Sequence, residues 1–206
     1  MYKLYGSPGS GSASVEAALA EVGAHYSVTR VNTGEGKHLT EDYRAINPRQ
    51  QVPALELPDG TVMAEGSAMM QHLADAFPES RLAPLPGSSA RAQHDRWLIF
   101  MAVNMYEGEL RKAYPGRYSS DPEGAQAVQA SADAYVKRHY EILEQTIGTG
   151  PYLFGDAMTM ADIYLWMLAS WMDQEWLANH CPNVFRLASV VRARPRLQTI
   201  HEAHFG

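Results

Sequence analysis

The sequence predicts an α/β N-terminal domain with the element order β-α-β-α-β-β-α, followed by an all-helical C-terminal domain. Three observations predict it. Up to about residue 77, short apolar strands alternate with segments of helical periodicity. FPESRLAPLPGSS, residues 77–89, then breaks the pattern with the Pro and Ser content of a linker. Beyond it, every apolar pattern is helical. The expected boundaries are 1–77 for the first domain, 78–87 for the linker and 88–206 for the helical domain.

Each element has its own signal. YKLYG at 2–6 is a short strand, and after the loop SPGSGSAS, Val15, Ala18, Leu19 and Val22 fall at i, i+3, i+4, i+7 spacing. Ser12 or Ser14 is placed to cap this helix and Gly23 to end it. YSVTRV at 26–31 is the next strand, so strand, helix and strand form a βαβ unit with a parallel pair. Thr40 caps the brief helix EDYRAIN, with Leu39 available as a hydrophobic staple, and Asn47-Pro48 stops it. VPALEL and TVMAE flank the turn Pro58-Asp59-Gly60 as a hairpin, with Pro53 near a strand start, where a missing ladder donor is tolerated. Glu65-Gly66-Ser67 then opens an apolar helix through Met69, Met70 and Leu73. This is the element order of a thioredoxin-like domain. In the second part, Trp97, Met101 and Met105 form a stripe within 88–112, widened by Leu98 and Phe100. Asp121-Pro122 starts the next helix, with Val128, Tyr135 and Leu143 as its apolar face. Thr159-Met160-Ala161-Asp162 is a capping-box start, with Met158 and Ile163 as its staple.

Composition narrows the function classes. Of the 206 residues, 46% are hydrophobic and 19% charged, which marks a globular chain. Net charge is −6 with no basic run, which argues against nucleic-acid binding. No apolar stretch approaches the roughly 18–20 residues of a membrane span. MYKLYGSPG runs directly into a strand without a signal-peptide arrangement, so a cytoplasmic protein is expected. The single cysteine, Cys181, permits no intrachain disulfide and is expected to be a packing or surface thiol. The eight histidines form no HExxH or His/Cys cluster, so no metal is expected.

The chemistry concentrates at residues 51–73. A helix that opens straight off a strand presents free N–H groups and a partial positive charge. That end suits a carboxylate, and the adjacent Glu65 suits an ammonium, so one segment can grip the α-amino-acid end of a small ligand. Val52-Pro53 followed by an acidic residue at a helix start resembles the glutathione site of the glutathione transferase family. AEGSAMMQHLAD is similar to the bacterial beta-class pattern, which has Glu-Gly at this point. In FGDAMTMADIYLW, the spacing G-D-x-x-T-x-A-D-I is similar to the family's C-domain capping motif, so the resemblance covers nearly the whole chain. It implies glutathione as co-substrate, a cis Pro53, a main-chain grip by Val52 on the cysteinyl part, and a γ-glutamyl site at Glu65, Gly66 and Ser67.

The resemblance also implies where sulfur is activated. A thiol of pKa ~8.5 is only a few per cent ionised near neutrality, and donors at the sulfur stabilise its anion. Aligned on Pro8-Gly9, Gly11 occupies the position of the beta-class cysteine, which removes any thiol-dependent chemistry there. The remaining hydroxyl candidates are Ser10, favoured for its match to a Ser-Pro-x-Ser-Gly opening, then Ser12, then Tyr5 at the strand end. Aligned on Trp97-Leu98, Tyr106 stands where beta-class members have a histidine, and Asn104 lies one helical step away. Arg49 and Gln51 are candidates for the peptide backbone or glycine carboxylate of glutathione, and Lys37 for that carboxylate. The acceptor pocket for a small hydrophobic electrophile is expected between residues 8–12 and the helical domain, around Tyr106, Met105 and Trp176. The resemblance also implies a homodimer. Alternatives on the same scaffold are a non-catalytic glutathione-binding or interaction protein, and a glutathione-dependent isomerase or ether-cleaving enzyme.

Overall fold

The computed structural model describes all 206 residues. Strand β1 (Tyr2–Gly6) leads into α1 (Ser12–Glu21) and β2 (Tyr26–Arg30), and a short α2 (Glu41–Ile46) follows. β3 (Ala54–Glu56) and β4 (Val62–Met63) precede α3 (Gly66–Ala76). The sheet order is β2-β1-β3-β4, with β1 and β2 parallel and the other pairs antiparallel. The expected α/β order is therefore present, because the βαβ crossover forces the parallel pair and the Pro58–Gly60 turn the antiparallel one. Val15, Ala18 and Leu19 are buried, and Gly23 terminates α1 in the left-handed region at φ 72°.

Two local expectations fail. The N-cap of α1 is Gly11, with Ser12 already inside the helix; Ser10 supplies the capping oxygen, accepting from the Ser12 N–H at 3.2 Å. Ser12 and Ser14 are both fully buried and bonded elsewhere in the loop. Leu39 is 60% exposed, so it forms no staple, although Thr40 does cap α2 by accepting from the Tyr43 N–H.

The chain continues through α4 (Ser89–Phe100), a π-helical segment (Met101–Tyr106), α5 (Glu107–Ala113) and α6 (Pro122–Glu144). It closes with α7 (Met160–Ala169), α8 (Gln174–His180), α9 (Pro182–Arg192) and α10 (Pro195–Phe205). Trp97, Leu98, Met101 and Met105 are buried as the stripe predicts, but the turn that carries Met105 is π-wound. Asp121 caps α6 through the Gly124 N–H at 2.9 Å. Its buried face is Ala132, Val136, His139, Tyr140 and Leu143, so Leu143 is buried as expected while Val128 and Tyr135 are only half-buried at its edge. No helix is long and apolar enough to cross a membrane.

Contacts divide the chain into two compact units, Met1–Pro86 with Ser189–Gly206, and Gly87–Ala188. The last helix thus joins the α/β unit, where α10 packs on α1, whereas its periodicity reads only as one more helix. Within the helical unit, Gly108 lets α5 approach α6: a Cβ there would stand 2.5 Å from Val136 Cγ2. Val136 is fully buried and cannot swing aside. Gly108→Ala should therefore destabilise by about 1 kcal/mol, overpacking outweighing the better helix propensity of alanine. A urea midpoint at or above that of the wild type would contradict this.

Candidate functional site

Strand register gathers the first unit's candidates at one end of the sheet. Tyr5 pairs with Ala54 and Leu55 with Met63. One step further, Gly6 lies level with Pro53, and two steps further Glu65 lies level with Pro53. The loop after β1, the turn before β3 and the start of α3 therefore share an edge, where the N-termini of α1 and α3 also open.

The first loop is tied by its own hydroxyls. Ser12 Oγ donates to the Ser7 carbonyl at 3.0 Å and accepts from the Ser7 N–H at 3.2 Å, with no exposure left. Gly6 makes room for it, since a Cβ at Gly6 would lie 2.6 Å from Ser12 Cβ. Ser10 Oγ is half-buried, 2.7 Å from the Ser7 carbonyl and 2.8 Å from Ser12 Oγ. The Gly11 N–H makes no hydrogen bond within the chain and sits at the N-terminus of α1. Ser12 is thus a structural tie, the Gly11 amide is a free donor, and the half-buried Ser10 hydroxyl is a donor that is turned to the Ser7 carbonyl within the loop. Tyr5 is buried against Tyr43, Val31 and Ala54, and its phenol donates to Glu56 at 2.7 Å.

The turn before β3 is held from beneath. The Gln51 carbonyl accepts from the Tyr43 phenol at 2.8 Å and from Asn47 Nδ2 at 2.7 Å. Burial pushes the Tyr43 phenol up to about 12, so it remains a donor. Gln50 stands at φ 53°, a left-handed position for a residue with a side chain. Two neutral bonds and this forced turn fix Val52, whose own N–H and C=O make no hydrogen bond within the chain. The Val52–Pro53 peptide is cis. Asn47 reads in sequence only as a helix stop; its part in holding Gln51 has no sequence signal beyond the Asn-Pro pair.

Glu65 is the N-cap of α3 at φ 69°, ψ 100°, outside the regions that side chains favour. The first main-chain bond of α3 is donated by Met69 to the Glu65 carbonyl at 3.0 Å, leaving the N–H groups of Gly66, Ser67 and Ala68 free. The Ser67 side chain is buried and its hydroxyl makes no bond within the chain. Glu65 pairs with Arg49, and both side chains are more than half exposed. Lys37 is exposed in a 3-10 turn and forms no ion pair. The first unit therefore brings together Ser10, Gly11, Val52, Pro53, Glu65, Gly66 and Ser67, with Arg49 attached through Glu65.

Two candidates lie in the helical unit. Tyr106 ends the π-helical segment, its ring 5.3 Å from Trp171 and 6.4 Å from Tyr164. Asn104 is occupied: its amide donates to the Phe100 carbonyl at 3.0 Å and its oxygen accepts from the Tyr135 phenol at 2.7 Å. Met105 is fully buried core.

Cys181 is fully buried as well, and burial, reinforced by Glu144 and Glu141, pushes its thiol up to about 12. It should resist a disulfide reagent at about pH 8 in the native state and react once the chain is unfolded. Native-state labelling at the unfolded rate would contradict this. No group of three or more His, Cys, Asp or Glu is placed to hold a metal ion.

Comparison with known proteins gives the family. Residues 12–76 match the model of the glutathione S-transferase N-terminal domain, and residues 110–202 that of the C-terminal domain. The chain is 29% identical to an uncharacterised GST-like protein, YncG, of Escherichia coli strain K12, over 97% of each. It is 30% identical to the glutathione S-transferase GstA of Escherichia coli O157:H7, over 82% of this chain and 81% of that one. A glutathione transferase homolog from Sulfitobacter, solved with bound glutathione, superposes with a TM-score of 0.91 at 26% identity. That match covers 100% of this chain and 99% of the other. With both domain models matched in order along a thioredoxin-like sheet and a helical unit, the chain belongs to the glutathione S-transferase family.

Proposed function

We propose that this protein binds glutathione at the sheet end shared by Val52, Glu65 and the N-terminus of α1, and activates its thiol for attack on small hydrophobic electrophiles. The observation that carries the reading is the set of unpaired polar groups converging there. The free N–H and C=O of Val52 suit the cysteinyl main chain, to which a peptide can add like a strand. The free amides of Gly66 and Ser67, with the Ser67 hydroxyl, suit the γ-glutamyl carboxylate at a helix N-terminus. Glu65 suits the ammonium of the same group. Arg49 and Lys37 remain the candidates for the glycine carboxylate. The bound glutathione in the Sulfitobacter homolog supports the assignment of the ligand.

In this reading the cysteinyl sulfur lies at the start of α1, where the Gly11 amide and the Ser10 hydroxyl donate to it. The thiol releases its proton to solvent, the donors and helix N-terminus hold the anion, and the sulfur lone pair forms a bond to an electrophilic carbon. A leaving group departs with its electron pair, or the electrons move into an adjacent acceptor bond. We further propose a homodimer.

Titration calorimetry with glutathione, combined with thiolate absorbance against pH, tests the reading. Binding with a lowered thiol pKa is expected. Binding without that shift would favour a glutathione carrier, and no binding at millimolar glutathione an interaction protein. Glu65→Ala should weaken glutathione binding about 10-fold or more, since it removes a charge-assisted contact worth ~1.5–3 kcal/mol. An unaltered dissociation constant would sink the γ-glutamyl role.

A further inference from the structure

The final helix α10 is bound to α1 at two levels. Near the C-terminal end of α1, Arg194 clasps Glu21 through Nε at 3.0 Å and Nη2 at 2.6 Å. Arg196 Nη1 donates to the Ala20 and Glu21 carbonyls, each at 2.9 Å. One turn inside the N-terminal end, Glu16 Oε2 lies 3.0 Å from His204 Nε2 and 3.3 Å from Arg30 Nη1. Glu16 and His204 are only 8% and 7% exposed, so this contact is nearly dry and short of competing water. The same end of α10 borders the first loop: a Cβ on Gly9, which stands at φ 68°, would lie 3.5 Å from the His204 carbonyl.

These contacts separate two tasks. The groups assigned to glutathione affinity, Val52 and α3, sit on segments that α10 does not fix through these bonds. The donors assigned to sulfur, Ser10 and the Gly11 amide, are carried at the start of the helix that it does fix. On the reading that this loop ionises glutathione, we propose that Glu16 and His204 are positioning residues. Their contact sets the height of the first turn of α1, and with it the aim of the Gly11 amide and the Ser10 hydroxyl at the sulfur. A displacement of about 1 Å at such donors can cost on the order of 10²-fold in rate.

The test uses the full chain and three variants, His204→Ala, His204→Gln and Arg194→Ala. For each, the thiol pKa of bound glutathione is followed by thiolate absorbance, affinity is measured with S-methylglutathione, and Tm is recorded. His204→Ala is expected to raise the bound thiol pKa by about one unit while S-methylglutathione affinity stays within about twofold. His204→Gln, which keeps a donor for Glu16, is expected to restore most of the shift. Arg194→Ala breaks the Glu21 ion pair, the other polar side-chain pair between α1 and α10, and should lower Tm while leaving the thiol pKa in place.

An unchanged thiol pKa in His204→Ala overturns the proposal, as does an equal rise in Arg194→Ala, which would make any loosening of α10 sufficient. Should His204→Ala fail to fold, Glu16→Gln keeps the shape and weakens the contact, and it must show the rise or the proposal falls. A wild type that leaves the thiol of glutathione unshifted overturns the functional reading, and this proposal with it. Unshifted variants beside an active wild type overturn this proposal alone.

Discussion

Ser10→Ala is expected to lower turnover with glutathione about 100-fold, the loss typical of one preorganised donor at a developing anion. The Ser10 oxygen accepts from the Ser12 N–H, while its hydroxyl donates to the Ser7 carbonyl at 2.7 Å and lies 2.8 Å from Ser12 Oγ. A sulfur at the start of α1 offers that hydrogen a charged acceptor in place of a neutral one, and the oxygen need not move to use it. Ser12→Ala should behave differently. Its hydroxyl is fully buried between the Ser7 N–H and carbonyl, so its removal should cost about 1–2 kcal/mol of stability and disturb turnover only through loop geometry. Kinetics with an aryl halide acceptor, together with a melting curve for each variant, distinguish the two. Loss of turnover in Ser12→Ala at unchanged Tm, with Ser10→Ala near wild type, would transfer the donor role to Ser12.

Asp162→Ala should lower the unfolding free energy by about 3 kcal/mol at neutral pH, which is about 7 °C in Tm for a chain of this size. Every residue of α7 is buried, so the N–H groups at its start have no water to turn to. Asp162 replaces that water. Oδ2 accepts from the Thr159 N–H at 2.7 Å and its hydroxyl at 2.8 Å, and Oδ1 accepts from the Leu153 N–H at 2.7 Å. Burial pushes the carboxyl up to about 6 against the pull of these donors, so at neutral pH it is charged and accepts all three. Alanine leaves two buried amides and the hydrogen of a buried hydroxyl without acceptors, beyond the ~1 kcal/mol of an ordinary exposed cap. A change in Tm of only 1–2 °C would mean that water reaches the start of α7 after all.

Asp162 also shows what a sequence can reveal. Its role was legible because the capping box is local: four residues carry the whole signal. The same holds for the βαβ unit, the hairpin, and the Glu65-Gly66-Ser67 helix start. The features that escaped depend on partners far along the chain. Nothing around Gln51 announces that the phenol of Tyr43 and the amide of Asn47 fix its carbonyl, and nothing near Glu16 announces His204. The capping serine is Ser10 rather than Ser12 or Ser14 because Ser-Gly-Ser-Ala-Ser offers three equivalent local starts, and the close approach of Gly6 to Ser12 decides among them. The π-helical turn at Met101–Tyr106 keeps the apolar stripe buried, so periodicity alone passes over it.

The division of the chain has a consequence in time. The α/β unit is assembled from Met1–Pro86 and Ser189–Gly206, with the whole helical unit encoded between. At a synthesis rate of roughly 5–20 residues per second, the sheet waits about 7–26 s after its last strand emerges before α10 is begun. Through that interval Glu21 has no Arg194 and Glu16 no His204, so two acids destined for burial stay hydrated and keep the outer face of α1 open. The ribosome releases the second unit's sequence first. The end of α1 that the proposed chemistry relies on is therefore the last part of the molecule to be fastened.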